Sequence, residues 1–201
     1  MKQIIKTSSG EYSFKPIHLY SGRKKLVKKI ALENIIIFRN ILSRSKIRWG
    51  LAYGTLLGAV REKDFISYDE DVDIYVFYED LDKLINLLHK FKQCGFDVAR
   101  YEKKALLSII RKNEHIDIYI FKKGFFGKKC LNYFIPNKYF ENKGRIKFYD
   151  QFYPTLYKRH DYLAFQYGED WRVPKKKLSS LWKYILENLF EKKIPKTYRD
   201  L

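Results

Sequence analysis

The sequence predicts an α+β fold, and three observations carry that reading. Runs with strand character recur at 47–53, 69–77, 96–101, 105–111 and 115–121, several of them alternating on the two-residue period of a strand. Apolar stripes at helical spacing flank them at 24–43, 81–91 and 178–190. Three of the strand runs follow one another without an intervening helix, which favours segregated over strictly alternating elements. No internal repeat or long linker divides the 201 residues. One domain over 1–201 is therefore expected, with an N-terminal hairpin (1–20) and a C-terminal helix (178–192) packed on it.

In order, Ile4-Ile5 and Tyr12 to Phe14 bracket Ser8-Ser9-Gly10, a hairpin pattern. From Lys24 to Ser43 the residues Leu26, Val27, Ile30, Ala31, Ile37, Phe38, Ile41 and Leu42 share one side of a helix. Lys24, Lys25, Lys28 and Lys29 lie largely opposite and read as a solvated back. Ile47 to Tyr53 reads as a strand that Gly54 ends, and Leu56 to Arg61 as a short helix. The free amides at that helix start, beside a residue without Cβ, predict an anion site at Gly54-Thr55. Asp80 is placed to cap a helix with the stripe Leu81, Leu84, Ile85, Leu88 and Phe91, closed by Gly95. Lys112-Asn113-Glu114 reads as the turn between the last two strands. Lys122 to Lys147 is basic, aromatic and glycine-punctuated and reads as loops with strands whose positions the pattern does not fix. Leu178, Leu181, Trp182, Ile185, Leu186, Leu189 and Phe190 form the last helical stripe, stopped by Pro195.

The chain is organised around Tyr53 to Ile74, YGTLLGAVREKDFISYDEDVDI. It ends in four acidic residues within five positions, Asp69, Glu70, Asp71 and Asp73, inside a chain of net charge +18. On a strand Asp71 and Asp73 point to one face, and two ionised carboxylates that close repel unless a cation compensates them. Oxygen ligands suit Mg²⁺, or Mn²⁺, with positions left open for phosphate oxygens. Asp117, flanked by Ile116 and Ile118, is the natural third carboxylate from a neighbouring strand. The two cysteines, Cys94 and Cys130, form no CxxC pair, and the four histidines (His18, His89, His115, His160) form no ligand motif. With 41 Lys and Arg against 23 Asp and Glu, the chain calls for an anionic partner. The absence of a signal-like start or an apolar run of membrane length predicts a cytoplasmic protein, at most peripheral at the inner face of a membrane.

The run Gly54, Thr55, Leu56, Leu57, Gly58, Ala59, Val60, Arg61, followed by Phe65-Ile66 and by Asp69, Asp71, Asp73 and Ile74, closely resembles the signature of the LicD-type phosphotransferase family, which includes the fukutin-related proteins. Asp64, Ser67, Tyr68 and Glu70 depart from its usual glycine, proline, tryptophan and aspartate. Tyr167-Gly168-Glu169-Asp170-Trp171 with Pro174 is similar to the family's second landmark. The resemblance implies a nucleotidyltransferase (DNA polymerase beta-like) fold, a mixed β-sheet flanked by helices, without the cysteine-rich zinc element of some animal members. It also implies transfer of a substituted phosphate from a CDP-linked donor, such as CDP-choline or a CDP-alditol. The acceptor would be a hydroxyl of a cell-surface glycan or teichoic-acid-like polymer, lipid-linked or met near an anionic membrane.

On that reading Asp71, Asp73 and Asp117 hold the metal, and Asp117 also takes the proton from the attacking hydroxyl. Gly54, Thr55 and Arg61 bind the donor phosphates, and Asp69 is a further ligand or an orienting residue behind the ligands. Two alternatives share the motif: a nucleotidyltransferase that releases pyrophosphate, and an inactive fold used as a nucleic-acid-binding module. The intact carboxylates weigh against the last, so no nucleic-acid partner is expected.

Overall fold

Residues 2–19, 25–102 and 104–174 are described by a computed structural model. They fall into two compact units, Met1–Tyr157 and Lys158–Leu201, each taken by itself below. The expected helix at 178–192 lies outside the described residues, as do Lys175 to Lys177.

In the first unit, β1 (Gln3–Thr7) and β2 (Gly10–Phe14) pair as an antiparallel hairpin, with Gln3 opposite Phe14. Ile5, Tyr12 and Phe14 are its buried residues, one face of the two-residue alternation. Helix α1 (Lys28–Leu42) buries Ala31, Asn34, Ile35, Phe38, Ile41 and Leu42. The buried Asn34 amide donates to the Arg111 and Glu114 carbonyls at 3.0 and 3.3 Å, which fixes the turn into a later strand.

The expected strand at 47–53 is shorter, β3 (Trp49–Leu51), because the chain reverses at Tyr53. Helix α2 (Tyr53–Arg61) therefore begins three residues earlier than Leu56, with Gly54 and Thr55 in its first turn. Strand β4 (Val72–Phe77) starts only after Asp71, so Asp69, Glu70 and Asp71 lie in the loop that enters it. The expected single helix at 81–91 is two, α3 (Leu81–Asn86) and α4 (Leu88–Gln93), divided at Leu87. Asp80 does not cap α3 through its side chain: it is buried and takes Arg48 and Lys83, both at 2.7 Å. Two cations explain why its carboxyl stays below the usual range, although burial opposes them.

Strands β5 (Asp97–Glu102), β6 (Leu106–Arg111) and β7 (Glu114–Lys123) follow, as the sequence predicts. The sheet runs β3-β4-β7-β6-β5. Only β4 and β7 are parallel; β3–β4, β7–β6 and β6–β5 are antiparallel, so the sheet is mixed. Two short strands, β8 (Gly127–Cys130) and β9 (Tyr133–Pro136), extend it from the far end of β7. A separate hairpin, β10 (Gly144–Phe148) with β11 (Gln151–Thr155), carries the buried Phe148 edge-to-face against Phe65 at 5.0 Å. The strands left unplaced in 122–147 are thus β8, β9 and most of β10.

The second unit contains α5 (Arg159–Tyr167), which ends at Gly168 with φ +95°. The landmark after it is two successive turns, Trp171 N–H to the Gly168 carbonyl at 3.1 Å and Val173 N–H to the Asp170 carbonyl at 2.9 Å. Trp171 meets His160 edge-to-face at 5.7 Å. Among the described residues no helix is long and apolar enough to cross a membrane.

Candidate active site

The acidic motif becomes a site because β4 and β7 are parallel and in register, which sets Asp73 directly beside Asp117. Both are almost fully buried, 6% and 4% exposed. The loop before β4 brings Asp69 and Asp71 to the same place: one carboxylate oxygen from each of Asp69, Asp71 and Asp73 lies within 4.8 Å of the others. A second overlapping set, Asp71, His115 and Asp117, meets the same limit. These sets bring together Asp71, Asp73 and Asp117, and Asp69 joins them as a potential ligand.

Charge state reports the crowding. The Asp73 carboxyl is pushed well above the carboxylate range, first by burial and then by Asp71, Asp69 and Asp117. Asp117 is raised for the same two reasons, burial and Asp71. Burial pulls the His115 imidazole down, but the neighbouring Asp71 carboxylate outweighs it and the net shift is upward. A concentration of anionic oxygens in a dry pocket is the donor set that a hard divalent cation fits, with one imidazole nitrogen available to Mn²⁺-like ions. The cluster can hold a metal.

Gly54 and Thr55, expected to bind donor phosphate, both contact Asp73. Gly54 N–H donates to Asp73 Oδ2 at 2.9 Å, and the Asp73 N–H donates to Thr55 Oγ1 at 2.9 Å. Thr55 is fully buried, and its oxygen holds the start of the strand through the Asp73 amide. Glycine is required at 54 by close approach: a Cβ would stand 2.9 and 3.0 Å from the Asp69 oxygens and 3.2 Å from Asp73 Oδ2. The reversal that aims this amide is strained, since Tyr53 has φ +35°. Its ring joins Tyr119 and Tyr133, at 4.8 and 4.7 Å, in a cluster of three in which those two also meet each other at 5.6 Å. The Tyr133 hydroxyl is pushed up to about 12 by burial and by Asp73, so the aromatic wall beside the carboxylates stays neutral.

Arg61 closes α2 seven residues after Gly54, with its side chain only 8% exposed and its Nη2 paired to Glu62 Oε1 at 2.7 Å. Burial favours its neutral form, and hydrogen bonds to Tyr68 and Glu62 more than reverse this. Its contacts therefore tie α2 to the loop that carries the acidic residues.

Three participants escaped the sequence reading. His115 Nε2 lies 3.3 Å from Asp71 Oδ2 and 3.9 Å from Asp117 Oδ1. Its spacing of two from Asp117 on a strand was the available signal. Ser108 and Arg100 follow from register alone, since Arg100 is opposite Ser108 and Ser108 opposite Asp117. Ser108 Oγ donates to Asp117 Oδ1 at 2.5 Å, and Arg100 Nη2 to Asp117 Oδ2 at 2.7 Å. Arg100 Nε also donates to Ser108 Oγ at 3.0 Å, closing the triangle. A polar row Arg100–Ser108–Asp117–Asp73 thus crosses four strands of an otherwise apolar sheet.

Comparison with known proteins matches this architecture. The lincosamide antibiotic adenylyltransferase LnuA, solved with lincomycin bound, superposes with a TM-score of 0.51 at 12% identity, over 83% of this chain and 98% of that one. This likeness shows the fold, that of a nucleotidyltransferase. An uncharacterized protein of Rickettsia typhi is 35% identical over 83 residues, 41% of this chain and 26% of that protein. The lipopolysaccharide cholinephosphotransferase LicD of Haemophilus influenzae is 33% identical over 58 residues, 29% of this chain and 22% of that protein. The matches thus span about a quarter of the length of these curated relatives. The family model for the LicD/FKTN/FKRP nucleotidyltransferase domain matches residues 46–165, more than half of the chain and all of the carboxylate site, so the chain belongs to that family.

Proposed function

We propose that this chain is a metal-dependent phosphotransferase that moves a substituted phosphate, phosphocholine- or alditol-phosphate-like, from a CDP-linked donor to a glycan hydroxyl. The observation that carries it is the in-register pair Asp73–Asp117 with Asp69 and Asp71 folded over it at the start of α2. Asp71, Asp73 and Asp117 would hold Mg²⁺ or Mn²⁺, with Asp69 and His115 at its margin. When bound, the cation neutralises phosphate charge, the main requirement of phosphoryl transfer. Gly54 and Thr55 act by fixing Asp73, and the donor diphosphate lies over the same helix start. Asp117, with each oxygen already accepting one hydrogen bond, keeps a lone pair for the attacking hydroxyl. Tyr119 and Tyr133, both part-exposed, offer ring surface for a base or sugar.

Incubation with CDP-linked donors, acceptor glycan and Mg²⁺ tests the reading, with CMP release and group transfer as the expected result. Pyrophosphate release from a nucleoside triphosphate would replace it with nucleotidyl transfer. Salt-sensitive RNA binding with no metal requirement and no turnover would replace both.

Arg100 supplies a further check. Arg100→Lys keeps the charge but loses the fork that spans Ser108 and Asp117, so turnover is expected to fall about tenfold. Wild-type turnover in that variant would show that the orientation of Asp117 does not depend on Arg100.

A further inference from the structure

The hairpin tip joining β7 to β8 has the sequence Lys122-Lys123-Gly124-Phe125-Phe126-Gly127-Lys128-Lys129. Gly124 N–H donates to the Gly127 carbonyl at 2.8 Å, leaving Phe125 and Phe126 at the two corners of a tight turn. They are 89% and 78% exposed, with their rings edge-to-face at 4.8 Å. Single exposed apolar residues are ordinary, but two adjacent phenylalanines on a convex tip are not. The tip is also held from behind. Asn137 Nδ2 donates to the Phe125 carbonyl at 2.9 Å, and Asn137 N–H to the Phe126 carbonyl at 3.1 Å. Both corner carbonyls are thus satisfied within the protein, as a segment entering a poorly hydrated medium requires.

Behind the rings stands a basic collar. Lys122 is directly opposite Lys129 and Lys123 opposite Lys128 across the ladder. Like charges in facing positions weaken a strand pair. Ring faces take up two of the four, Lys122 over Tyr78 at 4.8 Å and Lys128 over Phe77 at 4.9 Å.

We propose that this tip is a membrane anchor, with Phe125 and Phe126 seated at the headgroup boundary of an anionic bilayer and the lysine collar on lipid phosphates. The chemistry favours a bilayer over a protein partner. Two rings on a protrusion cover far less than the roughly 800 Å² per side of a stable protein interface. An aromatic wedge ringed by lysines is the composition of an interfacial anchor. Each ring removed from water is worth about tenfold in partitioning, and each lysine near an anionic surface about fivefold. The inference does not depend on the transfer reaction, and vesicle binding reads it without any turnover.

Co-sedimentation of the full chain with phosphatidylcholine vesicles, with and without phosphatidylglycerol, tests it. Binding to the anionic vesicles is expected, and Phe125→Ser with Phe126→Ser should weaken it at least about tenfold with every positive charge retained. Lys122→Gln with Lys129→Gln should also weaken it and reduce its sensitivity to salt. Phe125 and Phe126 are on a surface turn, Lys122 and Lys129 are exposed on the strands beside it, and unchanged melting temperatures will confirm the folds. The proposal is overturned if wild type ignores anionic vesicles, or if the double serine variant binds as wild type does. The second result would assign binding to the general +18 charge. It is also overturned if the serine pair instead abolishes a dimer seen by sedimentation in lipid-free solution.

Discussion

Asp73→Asn is expected to lower transfer by more than about a hundredfold, beyond what loss of a partner behind a metal ligand costs, while leaving the metal-free protein at least as stable as wild type at neutral pH. The two halves have one cause. Asp73 is buried against Asp69, Asp71 and Asp117, so its ionised form is disfavoured in the fold and its proton affinity is raised. A carboxyl whose folded pKa exceeds its unfolded pKa contributes stability below the unfolded value, and this is lost as pH rises through the folded one. With chelator present, wild type should therefore lose stability from about pH 4 upward as this group ionises. Asparagine removes that loss. Its carbonyl still accepts from Gly54 N–H, and its NH₂ can donate to a neighbouring carboxylate. Divalent cation should then raise the melting temperature of wild type and barely move the variant. A variant that melts far below wild type in chelator at pH 7 would make Asp73 a structural residue and remove the metal assignment.

The parts of this site that were legible in the sequence are those written as local contrast. Four carboxylates in five positions stand out in a strongly basic chain, and so does an aspartate between two isoleucines. Ser108, Arg100 and His115 carry no such contrast; each is an ordinary residue of a half-buried strand until register places it beside Asp117. Register depends on which strands pair, and Arg100 and Asp117 meet across an intervening strand. The strands at 127–130 and 133–136 were left unplaced for a related reason. Gly-Lys-Lys-Cys has no apolar alternation, because it buries only its two ends, Gly127 and Cys130, and leaves the lysines between them toward solvent. The link between the glycine-threonine turn and Asp73 was not legible because a helix N-terminus advertises an anion site without saying which groups of the chain it meets. Here the Asp73 carboxyl accepts from the Gly54 amide. The division of 81–93 into two helices left no mark because the apolar stripe runs through Leu87 unbroken.

Gly58→Ala should be destabilising by about 1–2 kcal/mol, although alanine is the better helix former. In an exposed helix interior the exchange would stabilise by about 1 kcal/mol. At position 58 it meets backbone: the new Cβ would stand 2.5 Å from the Asp64 carbonyl oxygen and 3.1 Å from Ile66 N. Overpacking of this kind costs roughly 1–3 kcal/mol, and main-chain atoms cannot swing aside as a side-chain end can, so strain wins over propensity. The strain falls on the loop from Glu62 to Asp71, which is pinned at both margins. Asp64 accepts from Lys28 and Tyr149, and the Asp69 carbonyl accepts from Leu26 N–H at 2.8 Å. Moving the loop by a few tenths of an ångström displaces Asp69 and Asp71 relative to Asp73, so metal affinity should fall along with stability. Urea unfolding in chelator gives the first quantity, and the melting shift on titration with Mn²⁺ the second. A variant about 1 kcal/mol more stable than wild type, with unchanged Mn²⁺ affinity, would mean that the acidic loop is not seated on α2 and that its carboxylates reach Asp73 some other way.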